Sequence, residues 1–514
     1  MDFPSRPNSL RRREFIQLSA LGGAWMLTRP SFGKSLDQPK AIDPLNAKRD
    51  NDPRRLFLDS RLISKADGVR LVLGTITKDP HNPLFGQDKP WEPRFDNLYP
   101  NVLYDAEEAI YKCWYTPYLV SPCTTDTPPE LRPYRSFYEA GEELGICYAT
   151  SKDGIAWQKP ELGVVEFNGS TKNNIVMRRD ESGDPGEAGV IKDLREVDPL
   201  RRYKMFFYRY GASVESSPGT MALAFSPDGV RWSKPQLCPE IQAHGDTHNN
   251  LLWSLGNQGN EAGFGRWVGI TRLRGTQGER LVGRTESLDL VNWAPAVEVM
   301  RALPTEKWRQ TYELLVFRHA NLYLGLVMLL NEDGDNDTVD CELAWSPDTV
   351  RWERICPGTP FIPRGPLGSY DGLCLYAGAY PIERQGDTLL YYGGSNGKHS
   401  GFRDGFFCLA HLRPDGYAAL SSEGSSQVGI VETHPIECTG TNLHLTTDAG
   451  GGRVRAAIVG ADGYGTEYCE PISRNCTDEV VRWKGKSDLS NFLGKYFQLR
   501  FETTAAKLYS LTFS

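Results

Sequence analysis

Ser151-Lys-Asp-Gly-Ile-Ala-Trp157 decides the reading of this chain, because it returns. It comes back as Ser226-Pro-Asp-Gly-Val-Arg-Trp232, as Ser287-Leu-Asp-Leu-Val-Asn-Trp293 and as Ser346-Pro-Asp-Thr-Val-Arg-Trp352. A fainter echo, Pro414-Asp-Gly-Tyr417, keeps the Asp turn and an aromatic. In each full copy Asp follows Ser by two residues and Trp follows Asp by four. Self-similarity spaced by roughly 60–75 residues marks a repeat architecture. The motif has a local cause: Asp bonds backbone two residues on, and Gly accepts positive φ. Apolar runs such as Gly145-Ile-Cys-Tyr-Ala149 and Met221-Ala-Leu-Ala-Phe225 precede it. It therefore reads as a hairpin turn, with the Trp re-entering the sheet as a packing peg between units. A residue repeated in every unit has an architectural reason, so these Asp and Trp residues are not catalytic candidates.

Two more strand-like runs precede each motif. The nearer ones include Tyr111-Lys-Cys-Trp-Tyr115, Tyr203-Lys-Met-Phe-Phe-Tyr208 and Leu322-Tyr-Leu-Gly-Leu-Val-Met328. The earlier ones include Asn101-Val-Leu-Tyr104, Gly189-Val-Ile-Lys192, Asn250-Leu-Leu-Trp253, Leu314-Leu-Val-Phe317 and Leu373-Cys-Leu-Tyr-Ala377. With one strand after each Trp, residues 55–421 are expected to form a five-bladed β-propeller of four-stranded units. No long amphipathic pattern interrupts them, which argues against an α/β fold. Ser421-Ser-Glu-Gly-Ser-Ser426 marks a boundary, and the short strands over 427–514 predict a β-sandwich. The fold class is thus all-β.

The 514 residues carry a net charge of −7, with 39% hydrophobic and 24% charged residues. That composition suits a globular protein and gives no nucleic-acid signature. Residues 1–33 read as a targeting segment. Arg11-Arg-Arg-Glu-Phe-Ile16 is a twin-arginine pattern, Leu18 to Leu27 is a short apolar run, and Ser31-Phe-Gly33 offers a cleavage site. The mature chain is then expected in the periplasm or outside the cell, with no membrane association once the leader is removed. Residues 34–54 read as a linker. The eleven cysteines form no CxxC and no zinc spacing, so most read as buried thiols. Cys469 and Cys476 are the best local disulfide pair. Residues 116–144, with five prolines, form a long insertion in blade one.

Chemistry in a propeller gathers where the innermost strands begin, around the axis. The polar residues there differ from blade to blade, and function is not repeated, so these differences are the place to look. Blade one offers Asp96-Asn97 and, at its far end, Asp105; blade two offers Asp193. Blade three offers Gly245-Asp-Thr-His-Asn249, blade four Gln310, Tyr312 and Glu313, and blade five Ser369-Tyr-Asp371, followed by Asn396 and His399. Paired carboxylates on one axis suit glycoside hydrolysis, one as acid and one as nucleophile or base. Asp96, Asp193, Asp246 and Asp371 are the predicted catalytic carriers. Trp91, His248, Tyr312 and His399 are the predicted sugar contacts. No cofactor is expected. The acidic loop Asn331-Glu-Asp-Gly-Asp-Asn-Asp-Thr-Val-Asp340 has the oxygen ligands for a structural Ca²⁺, but a solvated hairpin tip is the favoured reading.

This pattern resembles the five-bladed propeller glycoside hydrolases of families 32, 43, 62, 68, 117 and 130. Family 32 also adds a C-terminal β-sandwich. The runs Ser151–Gly163, Asn173-Asn-Ile-Val176 and Asp198-Pro-Leu-Arg-Arg-Tyr-Lys204 closely resemble family 32-like exported proteins of marine Planctomycetes. The resemblance spans roughly residues 55–514 in organisation and is specific in short runs. It implies an oligo- or polysaccharide partner and paired-carboxylate chemistry. Family 32 carries Asn-Asp-Pro-Asn, Arg-Asp-Pro and Glu-Cys motifs in its first three blades. Here the corresponding runs are Asp96-Asn-Leu-Tyr-Pro-Asn101, Lys192-Asp-Leu194 and Asp246-Thr-His248. Asp193 matches the blade-two Asp and Asp96 loosely matches the nucleophile. The acid has no counterpart, which leaves Asp246 or Asp371. Two readings follow: an exported, exo-acting glycoside hydrolase, or a non-catalytic carbohydrate-binding or scaffold propeller. A sialidase is disfavoured, since its turn motif is one residue longer and its propeller has six blades.

Overall fold

The computed structural model describes residues 53–132, 141–211, 219–254, 265–384, 386–424 and 426–514. The expected leader and most of the expected linker lie outside them. Among the described residues there is no α-helix, only strands and short 3-10 turns.

Among the described residues, largely antiparallel units follow one another along the chain as a six-stranded sheet, two four-stranded sheets and a nine-stranded sheet that joins two units. Their opening strands are Arg94–Asp105, Asp184–Lys192, Asn250–Ser254, Arg309–His319 and Cys374–Ala377. The units close into a circuit through side chains on these strands. Asn101 Oδ1 accepts the Val190 N–H at 3.1 Å, joining units one and two. Asn249 Nδ2 donates to Glu187 O at 2.9 Å, joining two and three. Asn250 Oδ1 accepts the Val316 N–H at 3.0 Å, joining three and four. Val339 and Cys374 form a parallel bridge between four and five. Ser395 Oγ donates to Asp96 O at 3.1 Å and returns the path to unit one. Gly189 shows how tight the packing is: a Cβ there would stand 2.1 Å from Asn249 O of the next unit.

The repeated turns behave alike. Each Ser ends the third strand of its unit, and its Oγ donates to the Asp two residues on, at 2.9–3.2 Å. One Asp oxygen accepts two backbone N–H groups, as in Asp153 with Ile155 and Ala156 at 2.8 Å each. Each turn is also gripped by the preceding unit. Gly154 O accepts from Tyr391, Gly229 O from Trp114 and Leu290 O from Gln236, while Thr349 Oγ1 accepts from Arg284. The Trp residues point the same way: Trp157 packs edge-on to Tyr391 and Phe407 of unit five, and Trp293 stacks on Phe206 of unit two.

Three features differ from the sequence expectation. The fourth strand of unit five does not follow its turn. It is Thr77–Lys78, which pairs with Ala410 and His411, while Ala418–Ser422 leaves the unit for a C-terminal sheet. Second, residues 55–73 do not belong to the first unit. Arg55–Leu56 pairs with Lys507–Phe513, Ile63–Asp67 with Gly429–Thr433, and Val69–Leu73 with Ala418–Ser422. Two C-terminal sheets thereby share one core that includes Phe57, Leu62, Val431, Trp483, Phe501 and Leu511. The alternating pattern of 63–73 satisfies a strand in either place, so sequence alone does not choose. Third, all eleven cysteines are free. Cys469 Sγ accepts the Ala456 N–H at 3.2 Å and Cys476 Sγ lies 3.3 Å from Thr447 Oγ1, so the two are not paired.

Candidate active site

Three opening strands are distorted near their beginnings. The first shifts register between Arg94 and Asn101, where Leu98 and Tyr99 take φ of 64° and 47°. The second shifts between Gly186 and Gly189, with Glu187 at φ 50°. The fourth shifts between Thr311 and Glu313. Bulges re-aim side chains and are enriched beside active sites. Here they turn Tyr99, Glu187 and Tyr312 into one cluster.

The cluster is a connected belt to which every unit contributes. Unit one supplies Asp96, held by Arg94 through Nε at 2.8 Å and Nη2 at 2.6 Å. Arg94 also donates to Glu142 at 2.9 Å, at the base of the expected insertion. Asn97 donates to the Tyr312 hydroxyl at 2.9 Å and accepts from Arg403 Nη2 at 2.5 Å. Arg403 stands 3.7 Å from Asp96. Arg272 of unit three donates to the Tyr312 carbonyl at 2.8 Å and to Asp246 at 2.9 Å. The Tyr210 hydroxyl of unit two then joins two carboxyl groups, 3.0 Å from Glu187 Oε1 and 3.2 Å from Asp246 Oδ1.

That last junction is the chemically informative one. Burial, and then the nearby Asp246 charge, push the Glu187 carboxyl well above the usual range. Glu187 Oε2 is buried without a partner. Asp246 is 46% exposed and paired with Arg272. A tyrosine hydroxyl has one proton to give. It faces Glu187 Oε1 and Asp246 Oδ1 and can serve one of them at a time. Two carboxyl groups in unlike environments, one buried and raised and one half-exposed against an arginine, are the arrangement an acid–base pair needs. Glu313 is a second buried carboxyl beside the belt. Burial lifts it to about 8 against the pull of Arg272, and neither of its oxygens has a side-chain partner.

Beneath the belt the axis is filled with aromatic rings. Tyr99 lies 5.3 Å from His248 and 6.2 Å from Tyr376, and Tyr312 lies 5.8 Å from Tyr376 and 4.8 Å from His399. All but His399 are buried. The belt therefore stands against a closed floor of packed rings.

The predicted site residues separate clearly. Asp96, Asp246, Tyr312 and His399 are in or against the belt. His248 is in the floor, 1% exposed, with Nε2 3.2 Å from Asn101 Oδ1; burial lowers its imidazole to about 3 and removes it from sugar contact. Asp193 is at the other end of its strand, six residues from Glu187, or about 20 Å of extended chain. It pairs there with Lys204 at 3.2 Å and Arg195 at 3.0 Å. A cavity of about 560 Å³ opens at this far end, among Tyr104, Lys192, Trp253, Phe317 and Tyr380. Asp371 is 1% exposed and locked to Lys78 at 2.5 Å and Tyr392 at 2.9 Å, so it ties the closing strand to unit five. Trp91 donates to Asn174 at 2.6 Å and packs in the core of unit one.

In the acidic loop, Asp340 is engaged by Arg364 at 2.7 Å and Arg309 at 3.2 Å. Among the described residues no group of three His, Cys, Asp or Glu side chains is arranged to hold a metal.

Sequence reasoning missed Glu187, Tyr210, Arg272 and Arg403. Glu187 had a signal: Gly186-Glu-Ala-Gly189 is a carboxylate between small residues at the head of an apolar strand. Starting that strand at Gly189 left it out. The arginines gave none, since they come from second strands and a loop.

No family model and no curated protein matches this sequence. Among solved structures the chain is similar to an N-acetylgalactosamine deacetylase from F. plautii in complex with blood group B trisaccharide. The identity is 15% over 68% of this chain and 96% of that one, with a TM-score of 0.44. It is similar also to a β-1,2-mannobiose phosphorylase from Listeria innocua, at 13% identity, 66% and 97% coverage and a TM-score of 0.44. An α-L-arabinofuranosidase from Podospora anserina matches at 11% identity, 66% and 97% coverage and a TM-score of 0.39.

Proposed function

We propose that this chain is an exported glycoside hydrolase, built as a five-bladed β-propeller with a C-terminal β-sandwich, that cleaves a glycosidic bond between Glu187 and Asp246. The observation that carries the reading is the pair of carboxyl groups on the Tyr210 hydroxyl, one buried and pushed above the usual range and one half-exposed against Arg272. Glu187 gives its proton to the leaving oxygen as the bond to the anomeric carbon breaks. The Asp246 oxygen bonds to that carbon, and water then releases the sugar with Glu187 as base. Oxygens that share one hydroxyl lie within about 6 Å of each other, nearer the retaining than the inverting spacing. Asp96, fixed by Arg94, faces sugar hydroxyls. The closed aromatic floor favours exo action, because a chain end can enter and a polymer cannot pass through.

The test is reducing-sugar release from a panel of plant and marine glycans, followed by variants on the responding substrate. Glu187→Gln is expected to lose about 10³-fold in kcat on that glycan. It should keep most activity on a dinitrophenyl glycoside of the same sugar, whose leaving group needs no proton. Asp246→Asn is expected to lose both. Parent-like rates in both variants sink the assignment. Glycan binding without release across the panel turns the reading to a non-catalytic propeller.

A further inference from the structure

One hairpin beside the belt concentrates positive charge. Arg272, Arg274 and Arg280 sit on the two long strands of unit three, Arg266–Arg274 and Arg280–Ser287. Arg274 and Arg280 are directly opposed across the ladder. Arg272 is two residues before Arg274, on the same face of the sheet. Like charges directly opposed destabilise a sheet, and the local acids do not neutralise these three. Asp246 is 2.9 Å from Arg272 but 3.7 Å from Arg274, and Glu332 is 3.9 Å from Arg280. Arg274 otherwise donates to Gly278 O at 3.2 Å, Arg280 reaches Gln310 at 3.3 Å, and Arg280 Nε is buried without a partner. Arg272 and Arg280 both lie over the Tyr312 ring, at 4.5 and 5.4 Å, which fixes the group against the pocket. Burial and the charges of Arg272 and Arg280 depress the Arg274 guanidinium. Of the three, Arg274 is the most open, at 31%.

We propose that Arg274 and Arg280, backed by Arg272, bind an oxyanion carried by the glycan, a uronate carboxylate or a sulfate ester, next to the bond between Glu187 and Asp246. This rests on the proposed function for the place of the bond, not for the existence of the anion site. The planar guanidinium fork suits either oxyanion.

Binding separates the two claims, because it needs no turnover. Affinity electrophoresis would compare oligogalacturonate, a sulfated galactan and neutral mannan, with the parent chain and an Arg274→Gln/Arg280→Gln double variant. One of the acidic glycans should bind at least tenfold more tightly than mannan, and which one identifies the anion. The double variant and 0.5 M NaCl should each erase that preference, while mannan binding stays unchanged. Circular dichroism of the double variant checks that it is folded. Equal binding of all three glycans overturns the proposal. So does an acidic preference that survives the double substitution in a folded protein, or turnover of a neutral glycan that depends on inorganic phosphate. If Glu187→Gln leaves hydrolysis intact while the charge preference persists, only the catalytic assignment fails.

Discussion

The turns at the outside of the ring and the belt at its axis are both made of carboxylates, and they use them in opposite ways. In Asp153, Asp228, Asp289 and Asp348 the backbone N–H groups of the turn hold the carboxylate below the usual range, burial opposing them in the more enclosed copies. Those residues are satisfied four times over by the same geometry. At the axis the carboxyl groups differ from unit to unit in burial and partners. Unit one gives an Asp clamped by Arg, unit two a buried Glu pushed above the usual range, and unit three a half-exposed Asp. Satisfied, repeated carboxylates hold the ring together, and unrepeated carboxyls left short of partners are where chemistry has room to occur.

The comparison can be broken at several points. Glu187→Gln should give the largest effect, about 10³-fold in kcat or about 4 kcal/mol on the barrier, with an unchanged melting temperature. A lowered melting temperature would make Glu187 a structural residue. Asp371→Asn should do the reverse, costing about 3 kcal/mol of stability by stranding Lys78. In the Asp371→Asn/Lys78→Met double variant most of that loss should return, measured by urea unfolding. A single Asp371→Asn variant with parental stability but no activity would move Asp371 into the site.

Glu313 gives a pH signature. It keeps its proton to about 8 in the folded chain and ionises at its usual 4.5 when unfolded. Between those values the folded state binds more protons, so stability falls as pH rises, by up to about 1.4 kcal/mol per unit, and then levels off. Glu313→Gln should remove that part of the slope in urea titrations at pH 5, 6, 7 and 8. An unchanged slope would show that Glu313 titrates normally. The smallest effect belongs to a turn: Asp348→Ala should cost about 1–2 kcal/mol through its lost backbone bonds, with kcat unaltered.

The same contrast explains what was legible in the sequence. The Ser-Asp-Trp turns obey local rules, so the hairpin at each copy and the all-β character of the chain could be read from their spacing. Asp96, Asp246 and Tyr312 could be found because they stand just ahead of, or at the head of, apolar strands. Asp193 and Asp371 stand at strand ends too, but one is at the far end and the other is taken by Lys78, a partner from a distant part of the chain. Glu187 needed knowledge of a bulge, and Arg272 and Arg403 needed the closed ring before their neighbours existed. Residues 55–73 show the same limit, since their pairing with strands near the C-terminus is a long-range choice that no local pattern states.

The completion of the fifth unit by Thr77–Lys78 also bears on biosynthesis. That strand leaves the ribosome early and must wait, unpaired, until Ala410 and His411 emerge. Arg55–Leu56 waits longer, for Ser510 and Leu511. The nascent chain therefore carries open strand edges through most of translation, a state prone to mispairing. A product stalled before Lys507–Phe513 leaves Arg55–Leu56 without its partner and the C-terminal sheets unfinished, so the time these edges stay open is set by synthesis rather than by the stability of the finished fold.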